Sequence, residues 1–308
     1  MWTTKPKFYE KGRGFSQWHR HKIDPSPTNT PTYRPRIFKT AQTLFLVYKA
    51  EPLIYNCNVV DITQSYSNQP LHAEVSEIIK SHSENKTDIR NVAKTLIEWK
   101  NVRRAIDLGC GYGWFEEVFD KGPELLVGID CLSENAAVFT RHAERAAKKA
   151  IFIKHKLLKT IDFPSNYFDL VVCAYSLYFF PDILPEAKRI LCNGGALLII
   201  THSESMLEEG KRFFDFKNLR KIIENFSAEN GEDILRKYFQ HITAVNYNNS
   251  LVFHRGDEKS LALYIDFKRE FIRKDADPDL VRKTMLQELF KNGELRLNKN
   301  DKIFLVKK

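Results

Sequence analysis

Three alternating glycines follow a short apolar run near the middle of the chain. The run Ala105–Leu108 leads directly into Gly109, Gly111 and Gly113. Glycine adopts backbone angles that other residues avoid, and without a Cβ it lets a ligand come close to the main chain. A buried strand followed by such a loop predicts a binding site for an adenosine-containing cofactor.

A carboxylate stands at the tip of the next predicted strand. Seventeen residues after Gly113, the run Leu125–Ile129 is followed by Asp130, which can accept hydrogen bonds from both hydroxyls of a ribose. The dinucleotide fingerprint needs a third glycine where this chain has Trp114, so the spacing disfavours a dinucleotide. Asp107 precedes the loop, and its charge would repel a pyrophosphate but attract a cationic amino-acid group.

These segments resemble the class I S-adenosylmethionine-dependent methyltransferases, specifically the broad group that includes ubiquinone- and biotin-pathway-like enzymes. The resemblance covers residues 89–192 well and the C-terminal third loosely. Asp107–Gly113 is similar to the family's first motif and Gly128–Asp130 to its second. Residues 163–172 and 189–200 are similar to the segments around the fourth and fifth strands.

The resemblance implies S-adenosyl-L-methionine as cofactor, with its methionine part on the glycine loop, its ribose at Asp130 and its adenine near Leu157 and Leu158. It further implies that Tyr66, ahead of a predicted helix, closes over the cofactor. Family members commonly place an acidic residue before the Phe-Pro segment, whereas this chain reads Lys156–Lys159, so adenine contact would rest on backbone and apolar groups. The cofactor-binding residues expected are Asp107, Gly109, Cys110, Gly111, Gly113, Asp130, Cys131, Leu157, Leu158, Tyr175 and Tyr66.

Polar and aromatic residues end the fourth and fifth predicted strands, where ligands of such sheets bind. Methyl transfer from a sulfonium is an in-line displacement that needs alignment and exclusion of water, and no covalent catalyst. We expect Tyr175 and Ser176 to shape the transfer site and His202 to be the leading candidate for a general base. A hydrogen-bonded structural role, the commoner one for a lone histidine, is nevertheless favoured over catalysis for His202. The Asn/Asp-Pro-Pro-Tyr/Phe pattern of enzymes acting on nucleic-acid amino groups or glutamine amides is missing after the fourth strand.

The elements that position these residues alternate in type from Arg103 onward. Short apolar runs separated by longer amphipathic stretches predict an α/β fold, here the Rossmann-like class I methyltransferase fold with a mostly parallel seven-stranded sheet flanked by helices. A helix is expected to begin near Trp114. The predicted strands are Ala105–Leu108, Leu125–Ile129, Ala150–Lys154, Leu170–Ala174, Ala196–Thr201, Ile242–Tyr247 and Ile303–Lys307.

Three regions are expected along the chain. Residues 1–40 form a basic arm rich in proline and aromatic residues, 41–100 a helical N-terminal segment or lid, and 101–308 the methyltransferase core with a mostly helical insert at about 203–300. The first 39 residues carry nine basic and two acidic side chains, against a net charge of +9 for the whole chain. Basic groups interleaved with aromatic rings suit RNA or a peptide, but packing of the arm on the core is the favoured interpretation.

Composition restricts the remaining function classes. Five cysteines without C-x-x-C spacing are expected to be reduced thiols, and neither a metal site nor a disulfide framework is predicted. Without a signal-peptide core or a membrane-length apolar run, a soluble cytoplasmic protein is expected. The first hypothesis is a methyltransferase acting on an oxygen, nitrogen or carbon nucleophile of a small molecule. The alternatives are an RNA or peptide methyltransferase and a non-catalytic cofactor-binding partner subunit, and the oligomeric state stays open.

Overall fold

A seven-stranded sheet forms the centre of the molecule. Its order is β3-β2-β1-β4-β5-β9-β6, and β9 runs antiparallel to both of its neighbours, whereas the other pairs are parallel. A second sheet pairs β7 with β8. The strands are β1 Arg104–Leu108, β2 Leu125–Asp130, β3 Ala150–Lys154, β4 Phe168–Ala174, β5 Leu191–His202, β6 His241–Tyr247, β7 Ser250–His254, β8 Glu294–Asn298 and β9 Asp301–Lys307.

The computed structural model describes residues 68–119, 122–157, 159–212, 216–272 and 275–308. All of them belong to one unit of the chain, Cys57–Lys308. The expectations for the basic arm and for residues 41–67, including Tyr66, fall outside these ranges, as does that for Leu158. Among the described helices, none is long and apolar enough to cross a membrane.

Helices cover both faces of the large sheet. One face packs against apolar residues of α2 and α3, including Ala93 and Phe139, and the other against α4 and α6, including Ala187 and Leu235. The helices are α1 Gln69–His82, α2 Ile89–Thr95, α3 Ala136–Ala146, α4 Leu184–Ile190, α5 Lys217–Ile223, α6 Gly231–Arg236, α7 Glu258–Phe267, α8 Arg269–Ile272 and α9 Pro278–Asn292.

The seven strands of the large sheet were all predictable from apolar runs, and the predicted fold class is confirmed. Central strands of a parallel sheet are buried on both faces, so they appear in the sequence as continuous apolar segments. Four of the five residues of β1 are buried, as are four of the six in β2. The one large difference in length is β5, which begins at Leu191 because that residue pairs with Phe168 before a register shift.

One local prediction was wrong. The helix expected to begin near Trp114 is a turn followed by the short 3₁₀ helix Glu116–Val118. The described part of the insert contains five α-helices, the predicted sixth strand and an unpredicted two-stranded antiparallel sheet, in which β7 and β8 are separated along the chain by α7, α8 and α9. Alternating burial in these strands, with Leu251 and Phe253 facing Leu295 and Leu297, is a period-two pattern too short to stand out from its helical surroundings.

A third apolar cluster joins the first described helix to the insert. Val75 and Ile78 of α1 pack with buried residues of α7, α9 and the β7–β8 sheet. This cluster also brings His72 of α1 against Phe267 of α7, with ring centroids 4.9 Å apart. Helix α1 and the insert therefore form one packed layer.

Candidate functional site

The glycine loop adopts backbone angles that only glycine tolerates well. Gly109, Gly111 and Gly113 have φ of 77°, 52° and 82°. The loop is fixed to the neighbouring strand because the amides of Gly109 and Cys110 donate to the carbonyl of Ile129, at 2.8 and 3.1 Å. A Cβ on Gly109 would lie 2.6 Å from that of Ser176, whereas no described atom lies within 4 Å of a Cβ placed on Gly111. The loop is thus tight against Ser176, just after β4, at its start and open at its middle.

Asp130 lies at the end of β2, where its carboxylate reaches the glycine loop. One oxygen accepts from the amide of Gly111 at 2.9 Å, and the other accepts from the amide of Leu132 at 2.8 Å. The side-chain amide of Asn135 lies 3.5 Å from the second oxygen. Because each carboxylate oxygen has two lone pairs, Asp130 retains capacity for donors from a ligand.

Two buried carboxyl groups lie against each other beside the loop. Asp107 on β1 and Glu116 after the loop are 2% and 1% exposed. Burial, followed by the charge of Glu116, raises the pKa of Asp107 well above its usual value, and burial raises the pKa of Glu116 to about 7. Among the described residues, no amide or hydroxyl donates to Asp107 Oδ1 or to either carboxyl oxygen of Glu116. The pair therefore favours a shared proton or a nearby cation.

His202 at the end of β5 forms a dyad with Asp301 at the start of β9. His202 Nδ1 lies 2.7 Å from Asp301 Oδ1, and Lys299 Nζ donates to Asp301 Oδ2 at the same distance. Burial alone would raise the pKa of Asp301, but Lys299 and His202 outweigh burial and lower it to about 2. Burial lowers the pKa of His202 to about 4 against the opposing effect of Asp301. At neutral pH an ionised Asp301 therefore holds the Nδ1–H of a neutral imidazole, and Nε2 carries the free lone pair.

Tyr175 connects this dyad to the glycine loop. Its hydroxyl donates to Asp301 Oδ2 at 2.8 Å, and its ring stacks on His202 with centroids 4.5 Å apart. On the other side the ring contacts Trp114 at 5.6 Å. Tyr175 has φ of 56°, a costly angle for a non-glycine residue that often marks functional positions. Burial, followed by the charge of Asp301, raises the pKa of the Tyr175 hydroxyl well above its usual value.

The structure brings most of the expected site residues to one edge of the sheet. The residues around the loop that are expected to bind the cofactor are adjacent: Asp107, Gly109, Cys110, Gly111, Gly113 and Asp130. Cys110 is buried, Cys131 is exposed beside Asp130, and Leu157 is buried after β3. Tyr175 and His202 lie together on the acceptor side. Their functional roles stay predictions.

Sequence reasoning missed Glu116, Lys299 and Asp301. Glu116 belongs to an acidic pair in an expected helix, which normally indicates an exposed face. Asp301 is brought to His202 by the antiparallel register of β5 and β9, in which the two residues are direct partners. Pairing the last two predicted apolar strands would have been the signal that found it.

A sheet of this order, with a glycine loop after its first strand and an acid after its second, defines a cofactor-binding domain of the methyltransferase type. Residues 106–199 match the family model described as methyltransferase domain. Two ubiquinone biosynthesis O-methyltransferases of Actinobacillus pleuropneumoniae, serotypes 5b and 7, are 26% and 27% identical over 114 residues, 34% of this chain and 47% of theirs. The chain thus spans about half the length of the curated relatives it matches. Residues 106–199 thus form a methyltransferase domain similar to those of the class I S-adenosylmethionine-dependent family.

Solved structures with a similar chain path include two of low sequence identity. Phosphoethanolamine N-methyltransferase 2 of Haemonchus contortus, in complex with S-adenosyl-L-methionine, is 16% identical with a TM-score of 0.48, over 82% of this chain and 60% of that one. The YcgJ protein of Bacillus subtilis is 17% identical with a TM-score of 0.48, over 77% of this chain and 99% of that one.

The described residues fit the cofactor of this family. Open space at Gly111 leaves room for a ligand against the loop. The Asp107–Glu116 pair offers unsatisfied buried acceptors suited to a ligand that carries positive charge on an ammonium and a sulfonium. Cations are stabilised by such acceptors, whereas the phosphates of a dinucleotide would be repelled.

Proposed function

We propose that this protein transfers a methyl group from S-adenosyl-L-methionine to an oxygen, nitrogen or carbon nucleophile of a small molecule. The observation that carries the proposal is the position of Tyr175, which contacts Trp114 beside the glycine loop and both members of the His202–Asp301 dyad. A cofactor held by the loop and an acceptor beside His202 would meet at this side chain.

When bound, the cofactor supplies an electrophilic methyl group on a sulfonium. The chain's part is to hold both reactants in line and to keep water away. Asp130 accepts from the ribose hydroxyls in this proposal, and the buried Asp107–Glu116 pair stabilises the positive charge. The layer formed by α1 and the insert reaches the loop, because His72 Nδ1 lies 3.0 Å from the hydroxyl of Tyr112.

His202 removes the proton of the acceptor. Its Nε2 lone pair is available because Nδ1–H donates to Asp301. As the imidazole gains the proton, the adjacent carboxylate stabilises the resulting imidazolium, and Lys299 and Tyr175 hold that carboxylate in place. A positioned general base contributes roughly 10²–10⁴-fold to a rate.

Calorimetric titration of the full chain with S-adenosyl-L-methionine tests the cofactor, and transfer of a labelled methyl group to a panel of small hydroxyl, amine and carboxylate compounds tests the reaction. We expect saturable binding and labelled product. Absence of saturable S-adenosyl-L-methionine binding contradicts the proposal as a whole. Saturable binding that is accompanied neither by methyl transfer nor by slow hydrolysis of the labelled cofactor would instead favour the non-catalytic partner subunit.

The charge of residues 1–39 supports a second candidate acceptor, an RNA or a peptide. Binding through this segment would weaken steeply with salt, because phosphate contacts release counterions. Removing residues 1–36 should then abolish binding of a macromolecular acceptor. Methyl transfer to small molecules that survives this deletion, or acceptor affinity insensitive to salt, counts against the macromolecular candidate.

A further inference from the structure

Lys268 is a buried cation that the transfer step leaves unused. It follows the last residue of α7 and is 7% exposed. Its ammonium lies 5.9, 5.3 and 5.6 Å from the ring centroids of Tyr264, Phe267 and Phe271. Within the described ranges, no carboxylate forms an ion pair with Lys268 and no acceptor takes a hydrogen bond from it. Buried ammonium groups without such partners are rare in proteins, since desolvation disfavours their charge.

The surroundings of Lys268 carry an excess of positive charge. Lys299, also 7% exposed, uses its ammonium on Asp301 and lies 5.0 Å from the ring of Tyr175. Asp301 is also shared with His202 and Tyr175, so one carboxylate serves three polar groups. Burial, followed by the charge of Lys299, lowers the pKa of Lys268 to about 7. Two lysines therefore face a single carboxylate.

Lys268 also lies beside the transfer site. Phe267, the preceding residue, contacts the ring of His72, which in turn contacts Tyr112 of the glycine loop at 4.9 Å between ring centroids. The charges of Lys299 and Asp301 act on the pKa of Lys268, and the charge of Lys268 acts on that of His202. The hydroxyl of Tyr264 is buried and has no hydrogen-bond partner among the described residues. Two hydrogen-bond donors, the Lys268 ammonium and the Tyr264 hydroxyl, are thus available to an acceptor bound beside His202.

We propose that Lys268, with Lys299 beside it, binds an oxyanion of the methyl acceptor, so that the acceptor is an anionic small molecule bearing a carboxylate or a phosphate group. The inference rests on the proposed function, because it places this anion in the acceptor site of that reaction. An oxyanion supplies the hydrogen-bond acceptors and the negative charge that the region lacks, and the aromatic rings around Lys268 exclude water from the ion pair.

Proton uptake accompanies this binding. The charged and titratable groups facing Lys268 are Lys299, Asp301, His72 and His202, together with the Tyr264 hydroxyl. The two histidines have pKa values lowered to about 4, and that of Asp301 is lowered to about 2, so none of them changes charge near pH 7. An anion raises the pKa of Lys268 from about 7, so anion affinity is full below pH 7 and falls as pH rises above it.

Four probes with one aromatic ring and different charge test the proposal on the full chain saturated with S-adenosylhomocysteine: benzoate, phenyl phosphate, benzyl alcohol and benzylamine. We expect at least one anion to bind ten-fold or more tightly than the alcohol and the amine in calorimetry at pH 6.5. Benzoate as the tighter probe indicates a carboxylate acceptor, and phenyl phosphate a phosphate acceptor. Equal affinity for the neutral and anionic probes, or no binding of any probe, overturns the proposal.

Lys268→Met removes the charge and keeps an unbranched apolar side chain, and Lys259→Met on the exposed face of α7 is the matched control. Lys268→Met should abolish the preference for anions and the proton uptake measured in buffers of different ionisation enthalpy, whereas Lys259→Met should keep both. Lys268→Gln serves the same purpose if the methionine variant does not fold. An anion preference unchanged in the Lys268 variant overturns the inference.

Failure of this inference is distinguishable from failure of the proposed function. A wild-type chain that does not bind S-adenosylhomocysteine or S-adenosyl-L-methionine contradicts the proposed function itself. A chain that binds either cofactor form but shows no charge preference among the probes contradicts only the anionic acceptor.

Discussion

His202 and Asp301 are direct partners across the antiparallel strands β5 and β9, and one carboxyl oxygen of Asp301 lies 2.7 Å from Nδ1 of His202. The other carboxyl oxygen accepts from both Tyr175 and Lys299, at 2.8 and 2.7 Å. This division of partners between the two oxygens fixes which nitrogen of His202 carries the proton. It also determines how the side-chain amide of an asparagine at position 301 would be oriented.

Asp301→Asn should convert His202 to the wrong tautomer. Two donors, Tyr175 and Lys299, require the amide oxygen on their side, so the NH₂ group turns toward His202 Nδ1 and makes it an acceptor. The proton then moves to Nε2, and the general base is lost. We expect methyl transfer to fall by roughly 10²-fold, the scale of general-base catalysis, with cofactor affinity unchanged.

Tautomer-sensitive ¹⁵N NMR of His202 measures this change independently of any acceptor. In the wild type we expect a neutral ring protonated at Nδ1 from pH 6 to 8, since its pKa is lowered to about 4. Asp279→Asn is the control, because Asp279 is an exposed carboxylate that pairs with Arg269. An Asp301→Asn chain that keeps the Nδ1–H tautomer and full activity would contradict the role of the dyad.

Asp130→Ala should weaken the binding of S-adenosyl-L-methionine. Hydrogen bonds to a charged group contribute about 1.5–3 kcal/mol each, and about 1.4 kcal/mol corresponds to a ten-fold change in affinity. We expect at least a ten-fold rise of Kd in calorimetry. Asp279→Ala is the matched control, because this carboxylate is exposed and pairs with Arg269 on the insert. An unchanged Kd in the Asp130 variant would contradict the prediction that Asp130 binds the ribose of the cofactor.

The sequence predicted the large sheet because buried parallel strands leave continuous apolar runs, and it predicted the loop because glycine spacing is local. Partners distant along the chain were not predictable in the same way. Asp301 reaches His202 only through the register of β9, and Lys268 is buried only because α1, α7 and their aromatic residues pack around it. Glu116 is buried in a short 3₁₀ helix that stands where an α-helix was expected after the loop. The residues that face the core there differ from those that an α-helix would bury.

Gly109→Ala should destabilise the fold more than Gly194→Ala. Both glycines have φ of 77°, so an alanine is strained equally at the two positions, a cost of about 1–3 kcal/mol. Only at Gly109 does the new Cβ also meet a neighbour, lying 2.6 Å from Cβ of Ser176, whereas no described atom lies within 4 Å at Gly194. We expect an additional loss of roughly 1–3 kcal/mol from this overlap, measured as the free energy of unfolding in urea. Equal losses at the two sites would mean that Ser176 moves easily away from the loop.

Glu116→Gln should stabilise the cofactor-free protein at alkaline pH and leave it nearly unchanged at acid pH. The pKa of Glu116 is raised to about 7 in the folded state, so folding favours its protonated form. Stability from this group is present below the unfolded pKa of about 4.3, and it is lost as pH rises through about 7. Glutamine stays neutral, so urea unfolding at pH 8 should show a gain on the order of 1–3 kcal/mol. Glu117→Gln, at the exposed neighbour that pairs with Arg90, should not remove the pH dependence. A Glu116→Gln chain whose stability still falls between pH 5 and 8 as in the wild type would assign that fall to another group.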